Sequence, residues 1–160
     1  NEEYCGMGTT VAMAVIDKQQ NVIYIGNVGD SRAYLLRNDE IKQITTDHTY
    51  VHELLKDGKI TSEEAKTHPK RNVITRALGS EEIVHADIFE IDLYENDILL
   101  LCTDGLTTHV SDNEMLEIIK EYGTNESVQE LIKLANDNGG TDNITIIIVD
   151  NIIRGETYDR

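Results

Sequence analysis

Two short apolar runs, each joined to an aspartate, constrain the fold of this chain more than any other feature. Residues 98–102 are apolar and lead into Asp104 and Gly105, whereas Asp142 directly precedes the apolar run 144–149. Apolar runs of this length, bounded by turn residues, are typical of buried strands. If the two strands are antiparallel neighbours, the end of one lies beside the start of the other. Both carboxylates would then meet at one rim of a sheet.

A third aspartate follows the same pattern. Asp30 belongs to the segment 29–32 (GDSR), between the apolar run 22–28 and a strand-like run at 33–36. Converging carboxylates repel one another unless a cation joins them. No Cys or His occupies a matching position, and a set of oxygen ligands favours magnesium, manganese or calcium over zinc. The sequence therefore predicts a metal site built from loops at strand ends.

Composition narrows the class of protein and its partners. The 160 residues include 14 basic and 30 acidic side chains, which gives a net charge of −16. This excess of negative charge opposes nucleic acid and anionic membranes as partners. The few cysteines, Cys5 and Cys102, favour a reducing compartment. No segment has the length and composition of a membrane span or a signal peptide, so we predict a single cytoplasmic domain without membrane insertion.

The order of predicted elements indicates an antiparallel, strand-rich fold with two late helices. A charged, helical insertion at 45–71, with short helices at 50–55 and 61–65, interrupts the strands. Ser111 and Glu114 form a capping box at the start of the late helices, which end near residue 139. Residues 151–160 are predicted to be a polar tail. The predicted strands cover residues 11–16, 22–28, 33–36, 41–44, 73–78, 84–91, 98–102 and 144–149.

Six segments in a fixed order resemble the bacterial metal-dependent serine/threonine phosphatases of the PPM (type 2C) family. The resemblance runs from about Gly6 to Val149 and does not include the beginning of the family domain. That missing part would carry a phosphate-binding arginine, an acidic pair and the Asp-Gly-Met-Gly-Gly-His segment. The segments that carry the resemblance are 6–10 (GMGTT), 29–32 (GDSR), 47–49 (DHT), 71–79 (RNVITRALG), 102–106 (CTDGL) and 140–145 (GTDNIT).

The resemblance implies an α+β fold. The family fold is a four-layer αββα sandwich of two antiparallel sheets flanked by helices, here incomplete at the N-terminus. Residues 1–150 would be the C-terminal part of the phosphatase domain, with the insertion at about 45–71 as its flap and 151–160 as the tail. Missing strands would leave exposed sheet edges, through which copies of the chain would associate.

The resemblance also implies roles for individual residues. Asp104 and Asp142 would each hold one of two Mn²⁺ or Mg²⁺ ions, and Asp30 would join Asp104 around a third. A metal-activated bridging water would then attack the phosphorus, so no protein nucleophile is needed. In and beside the flap, we expect Thr49, Arg71 and Arg76 to contact the substrate. For Arg76, pairing with an acidic neighbour remains an equal alternative.

The function that the resemblance implies is hydrolysis of phosphoserine and phosphothreonine in proteins, in opposition to a bacterial serine/threonine kinase. A role on an anti-sigma-factor antagonist stays open. Without the N-terminal metal-binding segment, this chain alone is expected to be inactive. The alternative from another class is a non-catalytic fragment that binds phosphoproteins or partners. The flap also contains His48, His52 and His68, and a zinc site there is a further, weaker hypothesis because His48 and His52 are four residues apart. The spacing of the loop before Ile147 argues against a calcium-binding loop.

Overall fold

The structure is a computed structural model that describes residues 6–150 and residue 152. These residues form two antiparallel sheets and four helices. The strands are β1 (Val11–Asp17), β2 (Val22–Val28), β3 (Arg32–Arg37), β4 (Glu40–Gln43), β5 (Asp87–Asp92), β6 (Ile98–Cys102) and β7 (Ile146–Val149). The helices are α1 (Tyr50–Lys56), α2 (Ser62–Thr67), α3 (Asp104–Thr107) and α4 (Asp112–Asp137).

The strand order brings distant parts of the sequence to one end of the molecule. The first sheet has the order β1-β2-β5, and the second has the order β4-β3-β6-β7. In the second sheet, Cys102 at the end of β6 pairs with Arg32 at the start of β3 and with Ile146 at the start of β7. The antiparallel pairing of β6 with β7 is therefore the one that the sequence predicted.

β6 is apolar along its whole length because it contributes to two separate cores. Leu99 packs between the two sheets with Ile23 and Ile25, whereas Leu100 packs with Met115 and Leu131 of the helical layer. Both leucines are fully buried. Successive side chains of a strand point to opposite faces, and both faces of β6 are covered. All its side chains are therefore apolar, which explains the continuous apolar run in the sequence.

The helical layer lies on the second sheet and bends at a single glycine. Ser111 and Glu114 form the predicted capping box at the start of α4. Gly123 has φ 70° and ψ 174°, which is not helical, so α4 is two helices joined at this residue. Glycine adopts this backbone conformation without a steric penalty. The two predicted late helices are thus confirmed.

The α+β class and the two antiparallel sheets are confirmed, and the described residues supply three of the four expected layers. In this part of the chain no helix covers the outer face of the first sheet, where Met13, Val15 and Ile88 are exposed. The register places Met13 and Ile88 on either side of Gly26, so they form one apolar surface. None of the described helices is both long and apolar enough to cross a membrane.

Three predictions of local structure were wrong. Residues 73–78 are not a strand, because their backbone groups bond to loops instead: Tyr50 donates to Val73, and Thr75 donates to His48. The strand predicted at 84–91 begins only at Asp87. Ile152 is buried in the core between the sheets, so the prediction of a polar tail fails at this residue. The remainder of 151–160 lies outside the described residues, and the short helix α3 was not predicted.

We expect Leu100→Ala to destabilise the chain by about 2–5 kcal/mol, because it leaves a cavity in a fully buried position. Ile147→Ala on the neighbouring strand is the matched control, since Ile147 is 51% exposed. Urea unfolding followed by circular dichroism measures both changes. Equal losses in the two variants would contradict the assignment of β6 as the shared central strand.

Candidate active site

Thr103, the residue after β6, is hydrogen-bonded to the residues that precede β7. The main-chain N–H of Thr103 donates to the Thr145 carbonyl at 3.1 Å, and its hydroxyl donates to the Asn143 carbonyl at 3.1 Å. Thr145 returns a hydrogen bond to the same hydroxyl at 3.0 Å. A Cβ on Gly105 would collide with the Asn143 carbonyl, so this close approach requires glycine. The loop that carries Asp142 is therefore packed against the residues on either side of Asp104.

The carboxylates of this region differ in their surroundings. Asp30 and Asp104 are half-buried, whereas Asp142 is exposed and accepts a hydrogen bond from the Asn143 N–H at 2.7 Å. The pKa of Asp30 is raised, first by burial and then by the negative charge of Asp104. The structure therefore brings Asp30 close to Asp104, as the sequence predicted, and the two carboxylates repel each other.

Arg32, the first residue of β3, links this strand to the insertion 45–71. Arg32 donates to both oxygens of Asp47, with Nε–Oδ1 at 2.9 Å and Nη2–Oδ2 at 2.6 Å. Gln43 donates to the same carboxylate at 3.0 Å, and the Tyr34 hydroxyl lies 3.0 Å from Arg32 Nη1. Burial alone would lower the pKa of Arg32, but its hydrogen bonds and charge contacts raise it. This bidentate salt bridge between Arg32 and Asp47 fixes the start of the insertion beside Asp30.

Sequence reasoning gave no role to either member of this pair. Arg32 and Asp47 both lie in segments that carry the family resemblance, 29–32 and 47–49. The opposite charges of these two residues are compatible with an ion pair. The sequence alone does not identify Asp47 as the partner of Arg32, because the chain contains 30 acidic side chains.

Arg76 pairs with an acidic neighbour, which is the alternative that the sequence left open. Its Nη1 atom donates to Asp87 Oδ1 at 2.7 Å and to the His85 carbonyl at 3.1 Å. Burial tends to raise the pKa of Asp87, but hydrogen bonds from His48 and Arg76 hold it below its ordinary value. Arg76 therefore lies in a structural ion pair with β5.

The zinc hypothesis is wrong for the residues that the structure describes. Both ring nitrogens of His48 contact protein groups: Nδ1 contacts the Gly29 N–H at 2.9 Å, and Nε2 contacts Asp87 at 3.1 Å. His68 Nδ1 accepts from the main-chain N–H of Lys70 at 3.1 Å. Within 6–150 and at 152, no group of three His, Cys, Asp or Glu side chains is arranged to hold an ion.

Thr49 is buried and serves as the N-cap of α1. Its hydroxyl accepts a hydrogen bond from the His52 N–H at 3.3 Å, so it stabilises the first turn of that helix. Its backbone also forms an isolated bridge with Ile74. The local role of Thr49 is thus to anchor the insertion, although the residue also lines the groove described next.

A groove of about 1010 Å³ opens beside Asp30 and Asp104. The insertion contributes Lys66 and the exposed Arg71 to its lining, and the segment from α3 to the start of α4 contributes several polar residues, among them Asp112. Asp142 and Arg76 do not line it. The groove therefore joins two of the predicted metal ligands, Asp30 and Asp104, to two of the three predicted substrate residues, Thr49 and Arg71.

The donor atoms at this end of the molecule suit a hard divalent cation. Asp30, Asp104 and Asp142 provide carboxylate oxygens, and the repulsion between the first two would be relieved by a cation. Mg²⁺ keeps several waters and uses few carboxylates, so a sparse ligand set is compatible with it and with Mn²⁺. The residues present thus fit the metals that the sequence predicted.

Comparison with known proteins identifies the family. Residues 2–54 match the family described as Protein phosphatase 2C. The "Serine/threonine phosphatase stp" of Listeria innocua is 48% identical over 146 residues, which are 91% of this chain and 57% of the relative. The chain thus spans a little over half the length of this curated relative.

Solved structures agree with the sequence comparison. The serine/threonine phosphatase PstP/Ppp of Mycobacterium tuberculosis superimposes with a TM-score of 0.87 at 40% identity, over 94% of this chain and 63% of that one. The catalytic domain of PstP, solved in complex with two manganese ions, superimposes with a TM-score of 0.80 at 39% identity. That match covers 91% of this chain and 60% of the solved one. The chain belongs to the protein phosphatase 2C (PPM) family, of whose domain it spans a part.

Proposed function

We propose that this chain forms the C-terminal part of a phosphatase domain, residues 1–150, that hydrolyses phosphoserine and phosphothreonine in proteins. The observation that carries the proposal is the meeting of Asp30 and Asp104 beside the Asp142 loop, where a groove with an exposed arginine opens. The phosphatase names of the relatives support the same reaction. The carboxylates would bind the metals, and the groove would bind the phosphorylated segment.

In this proposal, Asp104 and Asp142 hold two Mn²⁺ or Mg²⁺ ions, and Asp30 joins Asp104 around a third. When bound, such cations supply an activated water and neutralise the phosphoryl oxygens. Neither Cys102 nor Ser31 is arranged to act as a nucleophile in place of the water. Burial raises the pKa of the Cys102 thiol to about 12, so it is not a thiolate at neutral pH. The Ser31 hydroxyl is hydrogen-bonded to Thr10 at 3.0 Å.

The insertion at about 45–71 is proposed to be the flap that contacts phosphoproteins. Arg71 and Lys66 add positive charge to a groove next to the carboxylates, which suits a phosphorylated or acidic segment. Thr49 would act indirectly by anchoring α1. We propose that the substrates are cytoplasmic proteins phosphorylated by a bacterial serine/threonine kinase. The net charge of −16 disfavours nucleic acid as a ligand.

We also propose that this chain alone is inactive, or nearly so, because part of the metal-binding set belongs to the segment that the family carries upstream. Two observations support this: the chain spans 57% of the Listeria relative, and its described residues bring no three metal-ligating side chains together. Among the described residues, the first sheet ends in the edge strands β1 and β5 and the second in β4 and β7, and such edges support association between copies.

The proposed reaction is tested by phosphate release from a phosphothreonine peptide with Mn²⁺. The samples are this chain and a chimera that carries the upstream segment of the Listeria phosphatase. We expect release by the chimera, loss of at least about 100-fold in its Asp104→Ala and Asp142→Ala variants, and little release by the chain alone. A chelator should abolish release, and added Mn²⁺ should restore it. A chimera that binds the phosphopeptide without hydrolysing it would instead support a non-catalytic binding module.

Arg71→Gln in the same chimera should raise KM for the phosphopeptide about 5- to 10-fold and change kcat little, because one charged contact is removed from the groove. Lys120→Gln is the matched control, since Lys120 of α4 carries the same charge but lies outside the groove and pairs with Asp39. Steady-state kinetics measure both variants. p-Nitrophenyl phosphate has no peptide portion. If Arg71→Gln raised the KM for this small substrate as much as the KM for the phosphopeptide, a contact between Arg71 and the peptide would be contradicted.

Asp30→Asn should stabilise the metal-free chain at neutral pH. The pKa of Asp30 is raised in the folded state, so its ionisation costs stability as the pH rises through the ordinary carboxyl range. The amide removes that cost. Added Mn²⁺ should raise the Tm of the natural sequence more than that of the variant, because the cation relieves a repulsion that the variant lacks. Thermal unfolding at pH 7, with and without Mn²⁺, measures this, and an unchanged Tm without metal would contradict it.

A further inference from the structure

Both backbone polar groups of Gly29, the residue before Asp30, are bound by one histidine. The Gly29 N–H donates to Nδ1 of His48 at 2.9 Å, and the main-chain N–H of His48 donates to the Gly29 carbonyl at 2.9 Å. Asn27 donates to the same carbonyl at 3.3 Å. Gly29 has φ +107°, and a Cβ there would collide with Thr10. His48 therefore holds in place a turn residue whose backbone conformation and close contact with Thr10 require glycine.

The contact with Gly29 determines the tautomer of the imidazole. Because Nδ1 accepts a hydrogen bond, the proton of the neutral ring is on Nε2, which donates to Asp87 Oδ2 at 3.1 Å. The second oxygen of Asp87 accepts from Arg76 at 2.7 Å. His48 is buried, with 6% of its surface exposed, and Arg76 Nη1 lies 3.0 Å from Nε2. Because Nε2 carries the proton in this tautomer, Arg76 acts on the ring through Asp87 and not as a donor to it. Asp87 and Arg76 thus orient the ring that binds Gly29.

We propose that His48 is a positioning residue: oriented by Asp87 and Arg76, it fixes the 29–30 backbone so that the Asp30 carboxylate faces Asp104 across a shared divalent cation. The proposal rests on the cation-binding role assigned to these carboxylates above. Groups that orient metal ligands without touching the metal typically change its affinity 10- to 100-fold.

Other contacts hold the far side of this turn, so the effect of His48 can be isolated. The Ser31 hydroxyl is bound to Thr10, and Arg32 is bound to Asp47. Neither contact involves the imidazole. Loss of the imidazole acceptor should therefore release the Gly29 N–H, while the Gly29 carbonyl stays bound to Asn27 and to the main-chain N–H of residue 48 and the pairing of β3 stays intact.

The test compares His48→Leu, which removes the acceptor, with His48→Asn, whose side-chain oxygen replaces Nδ1. Mn²⁺ binding to the 160-residue chain is followed by the electron paramagnetic resonance signal of the free ion. The Gly29 amide proton shift, read by NMR, reports the hydrogen bond itself. We expect Mn²⁺ affinity to fall about 10- to 100-fold in the leucine variant and to recover in the asparagine variant. Asp30→Asn should remove the same binding.

Two further variants exclude a general loss of stability. Asp97→Asn weakens the buried ion pair with Arg37 at the other end of β3, so it should lower Tm without changing Mn²⁺ affinity or the Gly29 shift. Asp87→Ala keeps the imidazole but removes the carboxylate that orients it. It should weaken Mn²⁺ binding to an intermediate degree and provides the comparison if the leucine variant does not fold.

The inference is overturned if His48→Leu or Asp87→Ala binds Mn²⁺ as the natural sequence does, or if no Mn²⁺ binding depends on Asp30. These readouts do not depend on catalysis. Phosphate release by the chimera, together with unchanged Mn²⁺ affinity in the His48 variants, would reject the inference and leave the proposed function standing. The expected affinity changes without any phosphate release would support the positioning role and reject the function.

Discussion

The site depends on the pairing of β6 with both β3 and β7. That pairing places Cys102 between Arg32 and Ile146, so the chain leaves β6, enters β3 and enters β7 at the same edge of the sheet. Asp30, Asp104 and Asp142 lie just beyond these three strand ends. Burial of β6 on both faces stabilises the pairing, because a shift of one residue would exchange the leucines that fill the two cores.

The segment 47–49, at the start of the insertion, connects the insertion to both sheets. Its three consecutive side chains have separate partners: Asp47 binds Arg32, His48 binds Gly29 and Asp87, and Thr49 caps α1. One short stretch of backbone is therefore bonded to both sheets and to a helix. A displacement of the start of the insertion relative to Asp30 would have to break contacts of this segment, so the wall of the groove at Asp47 and Thr49 is connected to the carboxylates.

The sequence predicted most of the site's location because strand ends and glycine turns are local signals. The apolar run 98–102 and the run after Asp142 identified two neighbouring strands, and the GDSR segment identified Asp30. It could not predict that His48 contacts Asp87, because these residues are 39 positions apart and one acidic partner among thirty has no local signature. The strand predicted at 73–78 was wrong for a related reason. Its β-branched residues bond to Thr49 and Tyr50 of the insertion, which no periodicity reveals.

The distribution of charge around Asp30 shows why this carboxylate is available for a ligand. Arg32 lies only two residues away, yet both oxygens of Asp47 engage its guanidinium. Among the described residues no cation forms an ion pair with Asp30, whose pKa is raised by burial and by Asp104. The observed pairing fixes the backbone near the site and leaves two repelling carboxylates, which is the arrangement that a divalent cation stabilises.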